Sequence, residues 1–255
     1  MRGCWVFLLW FCMMGGALAE NSPVAAPKDI RLVSEPWDEY TDANGSGLGW
    51  DILREVFEPQ GVKVQTRSAP YIRSIGLVKR GEADAWVGAY QDEVGGALYP
   101  RWHYDTDHIY ALGLANRPTP TLSTLGHYRL AWVRGYQYQR YLPNVNQYNE
   151  IQRRDSIVSM LDHERADFYI DAKTEIDHLV SVSGNPGALR ATHLAELPLF
   201  LGFADTPKGK ALRSIYDQRM AHLVRSGQLR PIFARWRQPY PFEDEESHPQ
   251  SGEEH

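Results

Sequence analysis

The chain has 255 residues, with 27 Lys+Arg against 32 Asp+Glu and 43% hydrophobic residues, enough apolar content for one large core or two moderate ones. Those proportions exclude a disordered chain. The acid excess sits at the end, where residues 243–255 hold six acids and no Lys or Arg; the near-neutral body has no electrostatic footprint for nucleic acid or an anionic membrane surface.

Residues 1–20 read MRGCWVFLLWFCMMGGALAE: a positive Arg2, an uncharged apolar run from Trp5 to Met14, and the small-x-small signal Ala17-Leu18-Ala19. This pattern predicts a signal peptide over 1–19 and a secreted, periplasmic product. The apolar run is shorter than the roughly 20 residues a spanning helix needs. Both cysteines, Cys4 and Cys12, fall inside the leader, so the exported chain is expected to lack a disulfide, a thiolate nucleophile and a Cys-ligated metal.

The first strand is expected at Ile30 to Ser34, followed by turn-rich sequence and a helix carrying Ile52, Leu53, Val56 and Phe57 on one stripe, with Asp51 placed to cap it. Alternating Val62 to Thr66, a helix from Tyr71 to Arg80 closed by Gly81, and the continuous apolar run from Ala83 to Ala89 complete a βαβαβ unit. That order implies a parallel sheet with helices on both faces. A second unit begins near Tyr128 with a strand at Leu130 to Val133, a strand near Val145 to Ile151, a helix from Asp155 to Ala166 and a strand at Asp167 to Ile170. Extended segments His108 to Asn116 and Leu197 to Ala204 border it, so the chain is expected to leave lobe one, build lobe two and return. Lys210 to Trp236 reads as a helix pair broken at Ser226-Gly227. The expected organisation is lobe one over 28–110 and 205–237, lobe two over 111–204, and an acidic disordered tail over 238–255.

Three pieces resemble the bacterial extracellular solute-binding proteins of family 3, the polar amino-acid-binding type that serves ABC importers. They are Gly49-Trp50-Asp51-Ile52-Leu53, Lys79-Arg80-Gly81-Glu82-Ala83-Asp84-Ala85, and Ser226-Gly227-Gln228-Leu229 through Trp236. The resemblance spans residues 28 to 237 and implies a type II periplasmic binding protein fold: α/β, two lobes, a discontinuous first lobe and two crossover hinge segments. It also implies a monomer that closes on a small solute and hands it to an inner-membrane ABC permease, with docking to a membrane receptor as the alternative.

In open α/β sheets ligands lie beyond the carboxyl ends of the strands. Those positions are Glu35, Trp37, Tyr71, Arg73, Tyr90 and Gln91 in lobe one, and Arg134, Tyr136 and Asp171 in lobe two. Aromatic faces with charges of both signs suit a small polar or zwitterionic solute. Asp171 resembles the family acid that accepts a substrate ammonium, although it stands one position nearer Asp167 than is usual. The family's Thr-x-x-Arg carboxylate clamp is missing: the stretch reads Tyr90-Gln91-Asp92-Glu93-Val94-Gly95-Gly96. Arg73 or Arg134 could replace it. Alternatively, Glu35 with Asp92-Glu93 and the aromatics would suit a cationic amine.

No cofactor motif occurs. His103, Asp105 and Asp107 would share one strand face, but no helix-borne His-Glu-x-x-His accompanies them, so no metal is expected. No Gly-x-Ser-x-Gly elbow is present, and the reading is a non-catalytic protein; a cleft enzyme of dehydratase type using Glu35, Glu93 and Asp171 is the remaining alternative.

Overall fold

The computed structural model describes residues 26–243. The expected leader 1–19 and residues 244–255 of the expected tail lie outside them. The element order is β1 (Asp29–Ser34), α1 (Leu48–Phe57), β2 (Lys63–Ser68), α2 (Tyr71–Lys79), β3 (Ala85–Ala89), β4 (Ala97–Leu98), β5 (Asp105–Leu114), β6 (Arg129–Val133), β7 (Gln147–Ile151), α3 (Ile157–Asp162), β8 (Phe168–Ala172), α4 (Lys173–Val182), β9 (Leu189–Ala204), α5 (Pro207–Ser226) and α6 (Arg230–Arg235), with short 3₁₀ turns between.

β1 pairs in parallel with β2 and β3, and β6 in parallel with β7 and β8. Two βαβ-type units thus form, as the alternation of apolar strands and amphipathic helices predicts. β9, 16 residues long, joins them: its later half runs antiparallel to β3 and its earlier half antiparallel to β5. β5 in turn pairs with β8, so strands β5 and β9 are the two crossovers.

The two units share a device. Asp84 Oδ2 accepts the Arg31 backbone N–H at 2.8 Å while Oδ1 takes its guanidinium at 2.7 Å. Asp167 does the same for Arg129, at 2.8 and 2.9 Å. In each unit the aspartate entering the third strand pins the first, and the charge-assisted bonds hold both carboxyls below the usual carboxylate range, with Asp84 doing so against the cost of its burial.

Core packing follows from side-chain size. Trp86 on β3 is fully buried and lies so close to Gly202 on β9 that a Cβ there would stand 2.2 Å from the indole. α5 begins with Thr206, whose hydroxyl accepts the Gly209 N–H at 3.0 Å, followed by Pro207, and ends at Gly227 with φ +64°. It buries Leu212, Tyr216, Met220 and Leu223 against lobe one, and Tyr216 meets Phe57 of α1 at 6.2 Å.

Three expectations need correction, and one helix was not expected at all. Asp51 does not cap α1, whose N-cap is Gly47 with no side-chain bond; instead it accepts Arg235 at 2.7 Å and Trp236 Nε1 at 2.8 Å, tying α1 to α6. The helix expected over 155–166 is only α3, preceded by a 3₁₀ turn over Arg154–Ser156. α4 was unforeseen, because only Glu175, Ile176 and Leu179 of it are buried. Finally, residues 238–243 are packed: Phe242 is fully buried, against Tyr240, Phe233 and His103, so apolar anchoring extends beyond the boundary set at 237.

Candidate functional site

The carboxyl ends of β1, β3, β6 and β8 converge on a cavity of about 760 Å³ between the two units, roofed on one side by residues 237–241. Its aromatic wall comes from both units: Trp37, Tyr40, Tyr71 and Tyr90 from the first, Tyr136 and Tyr138 from the second. Tyr71 meets Tyr136 edge to face at 5.3 Å. Trp37 can lie flat across β3 because Gly88, at φ +81°, has no side chain; a Cβ there would stand 2.6 Å from the indole.

Among the residues expected from strand ends, Trp37, Tyr71, Tyr90, Tyr136 and Asp171 line the cavity. Glu35 sits just behind them. Arg73, Gln91 and Arg134 do not line it, and all three are exposed.

The residue the sequence reading missed is Arg154, on the turn after β7. Its Nη1 donates to Glu35 at 2.8 Å, Nε to Asp171 at 2.9 Å, and Nη2 to the Tyr136 hydroxyl at 2.7 Å. Glu175 of α4 lies 3.1 Å from Nε. Burial opposes the charge, but Asp171 and the surrounding groups hold the guanidinium still more firmly protonated than usual. Since Glu35 belongs to the first unit and Asp171 to the second, one side chain latches the two together. Trp37 Nε1 adds a bond to the Tyr136 hydroxyl at 2.9 Å, and Arg140 donates from the second unit to the Glu93 carbonyl.

Acids dominate the remaining lining. On β5, Asp105 accepts the Tyr40 hydroxyl at 2.8 Å and Asp107 the Tyr90 hydroxyl at 2.9 Å. Burial pushes Asp105 up to about 6 and Asp107 up to about 7, the latter helped by Asp105 and Asp171. Glu175 is raised as well, by burial and by Asp171. Asp177, Glu196 and Glu243 add to the rim, against His108, Lys173 and Arg237. The supposed face of His103, Asp105 and Asp107 does not gather: tyrosine hydroxyls hold the two carboxylates and the His103 ring lies against Phe242 at 4.8 Å.

Behind the wall, buried Glu93 accepts the Tyr90 backbone N–H at 3.0 Å and Trp86 Nε1 at 3.2 Å, and lies 2.7 Å from the Tyr71 hydroxyl, which also reaches the Gly88 carbonyl at 2.9 Å. Tyr71 has one proton for two acceptors, so a protonated Glu93 that donates to Tyr71 satisfies the whole network. Burial accordingly pushes Glu93 up to about 7.

Solved structures share this fold. A histidine kinase sensor domain with similarity to periplasmic binding proteins aligns with TM-score 0.67 at 16% identity, covering 83% of this chain and 96% of its own. The substrate-binding protein of an amino acid ABC transporter aligns with TM-score 0.65 at 14% identity, covering 82% and 98%. The chain has the fold of the two-lobed binding proteins. A substrate-binding protein of an ABC uptake transporter from Streptococcus pneumoniae, with bound histidine, is similar to the same degree: TM-score 0.65, 13% identity, 82% and 92% covered. No family model and no curated protein matches the chain.

Proposed function

We propose that this chain is a periplasmic, non-catalytic solute-binding protein that closes lobe one (28–110 and 205–237) and lobe two (111–204) around a small solute bearing an amine, and delivers it to an inner-membrane ABC permease. The observation that carries the reading is the cavity between the lobes, walled by aromatic rings from both and lined by more acids than bases. Aromatic faces and desolvated carboxylates attract a cation. Arg154 supports the same choice of ligand, because three carboxylates and a tyrosine already surround its Nε, Nη1 and Nη2, so its charge is compensated before any solute α-carboxylate arrives. Tyr136, whose oxygen accepts from both Trp37 and Arg154, keeps its own proton to donate towards a solute acceptor; burial holds it well above the usual tyrosine range.

A thermal-shift screen of amino acids, polyamines, small organic acids and aromatic amines tests this. Amine-bearing compounds should raise the unfolding temperature in proportion to the logarithm of their concentration and be recovered unchanged. Stabilisation by organic acids alone would refute the ligand class, and conversion of a stabilising compound into product would favour a dehydratase-type enzyme. The sensor-domain neighbour supports a second reading, docking to a membrane receptor; a solute-dependent pull-down of a permease or of a receptor from solubilised membranes separates the two.

A further inference from the structure

We propose a second site, for a divalent transition metal, on the two crossover strands: His108 of β5 with His193 and Glu196 of β9. Their candidate ligand atoms all lie within 4.8 Å of one another. His108 Nδ1 and Glu196 stand 3.3 Å apart, close to the roughly 3.3 Å that separates two ligands of a tetrahedral zinc at Zn–N distances of about 2.0–2.1 Å.

The local backbone explains how these three meet. On a regular strand, residues 193 and 196 point to opposite faces. Here the pairing slips: Ile109 faces Ala195 and Tyr110 faces His193, so Leu194 is an extra residue on β9. A bulge of this kind re-aims the side chains beyond it. Leu194 turns into the core at 8% exposure, and His193 comes to the face that carries Glu196. His108 lies directly opposite Glu196, while Tyr110, two residues along β5 on the same face, lies opposite His193 and packs edge-on against its ring at 5.2 Å.

Two imidazoles with one carboxylate favour zinc, copper(II) or nickel(II) over calcium or magnesium, which prefer oxygen ligands. Three protein ligands leave a fourth position, and because His108 and Glu196 both line the solute cavity, that position faces it. A bound ion would also fasten the crossovers to each other at the bulge. This inference rests on the strand geometry and not on the identity of the solute.

The test is zinc titration of the full exported chain, stripped with chelator, by calorimetry and by competition with a chromogenic chelator. One ion per chain is expected, with binding weakened at least tenfold in each of His193→Ala, His108→Ala and Glu196→Gln. His193 and Glu196 are exposed, so their variants should match the parent in circular dichroism and apo unfolding temperature. His248 and His255 of the sequence offer a competing pair, so a His248→Ala/His255→Ala variant must keep the affinity. Cobalt(II) should give the visible absorption of a tetrahedral centre, lost in His193→Ala. Absence of one-to-one binding, or binding unchanged in His193→Ala and Glu196→Gln, would overturn the site. Loss with the tail histidines would assign the metal to them. None of these results depends on solute binding.

Discussion

Replacing Arg154 by Met keeps most of the side-chain volume and removes the charge. Its partners Glu35, Asp171 and Glu175 have side chains only 12%, 1% and 10% exposed, so three carboxylates lose their shared counter-ion without gaining water. Breaking a buried pair in this way costs about 3–5 kcal/mol. At roughly 2–4 °C per kcal/mol for a domain of 150–250 residues, the unfolding temperature at pH 7.5 should fall by about 6–20 °C. The pH dependence gives the sharper signature. Lowering the pH protonates acids left buried without a counter-ion and so relieves the penalty. The deficit should therefore shrink markedly between pH 7.5 and pH 5, and Arg154→Met/Glu35→Gln should recover part of it at pH 7.5. Small-angle scattering should show a larger radius of gyration, since the Glu35 to Arg154 bond joins the lobes. Calorimetry and scattering on the two variants across that pH range check all of this. A loss below about 1 kcal/mol at pH 7.5, or the same loss at both pH values, would refute the latch.

Glu93, held near 7 in the folded state against an ordinary 4.5, binds its proton more tightly folded than unfolded; stability should fall as pH rises from about 4.5 to 7, by up to the order of 3 kcal/mol from this group. Glu93→Gln should flatten that slope in chemical denaturation, and an unchanged slope would refute the assignment. Arg73→Ala and Arg134→Ala should leave the affinity for a screened amine unchanged, whereas Tyr136→Phe, which removes a hydroxyl bonded to both Trp37 and Arg154, should weaken it about tenfold in calorimetry. Gly202→Val would drive side-chain atoms into the Trp86 indole, already 2.2 Å from an ideal Cβ, and should cost at least about 3 kcal/mol or prevent folding, read by circular dichroism.

The fold was legible wherever local pattern and burial agree. The unbroken apolar stretch of β3 marked a strand covered on both faces, and Ser226-Gly227 marked the end of α5, whose Thr206 cap and Pro207 stand ahead of the expected start at Lys210. α4 escaped because it starts directly after β8, with no intervening turn residue, and carries mostly polar positions. In the site, the strand-end rule identified five lining residues; applied to β7, it would also have pointed to the Arg153-Arg154 pair. Nothing local says which of the two turns inward: Arg153 is exposed and bonds to Asp155, while Arg154 finds three acids from distant segments. The bulge at Leu194 is equally silent, since it is set by pairing across strands and leaves no composition signal.

Strand β9 carries a mechanical consequence. Sixteen residues at about 3.3 Å each reach roughly 50 Å, so a single stretch of backbone edges the sheet of one lobe and then that of the other. Neither lobe can melt without stripping hydrogen bonds from a segment the other depends on. Heating should accordingly give one sharp heat-absorption peak for the pair, and a protease nick anywhere along β9 should loosen both halves at once.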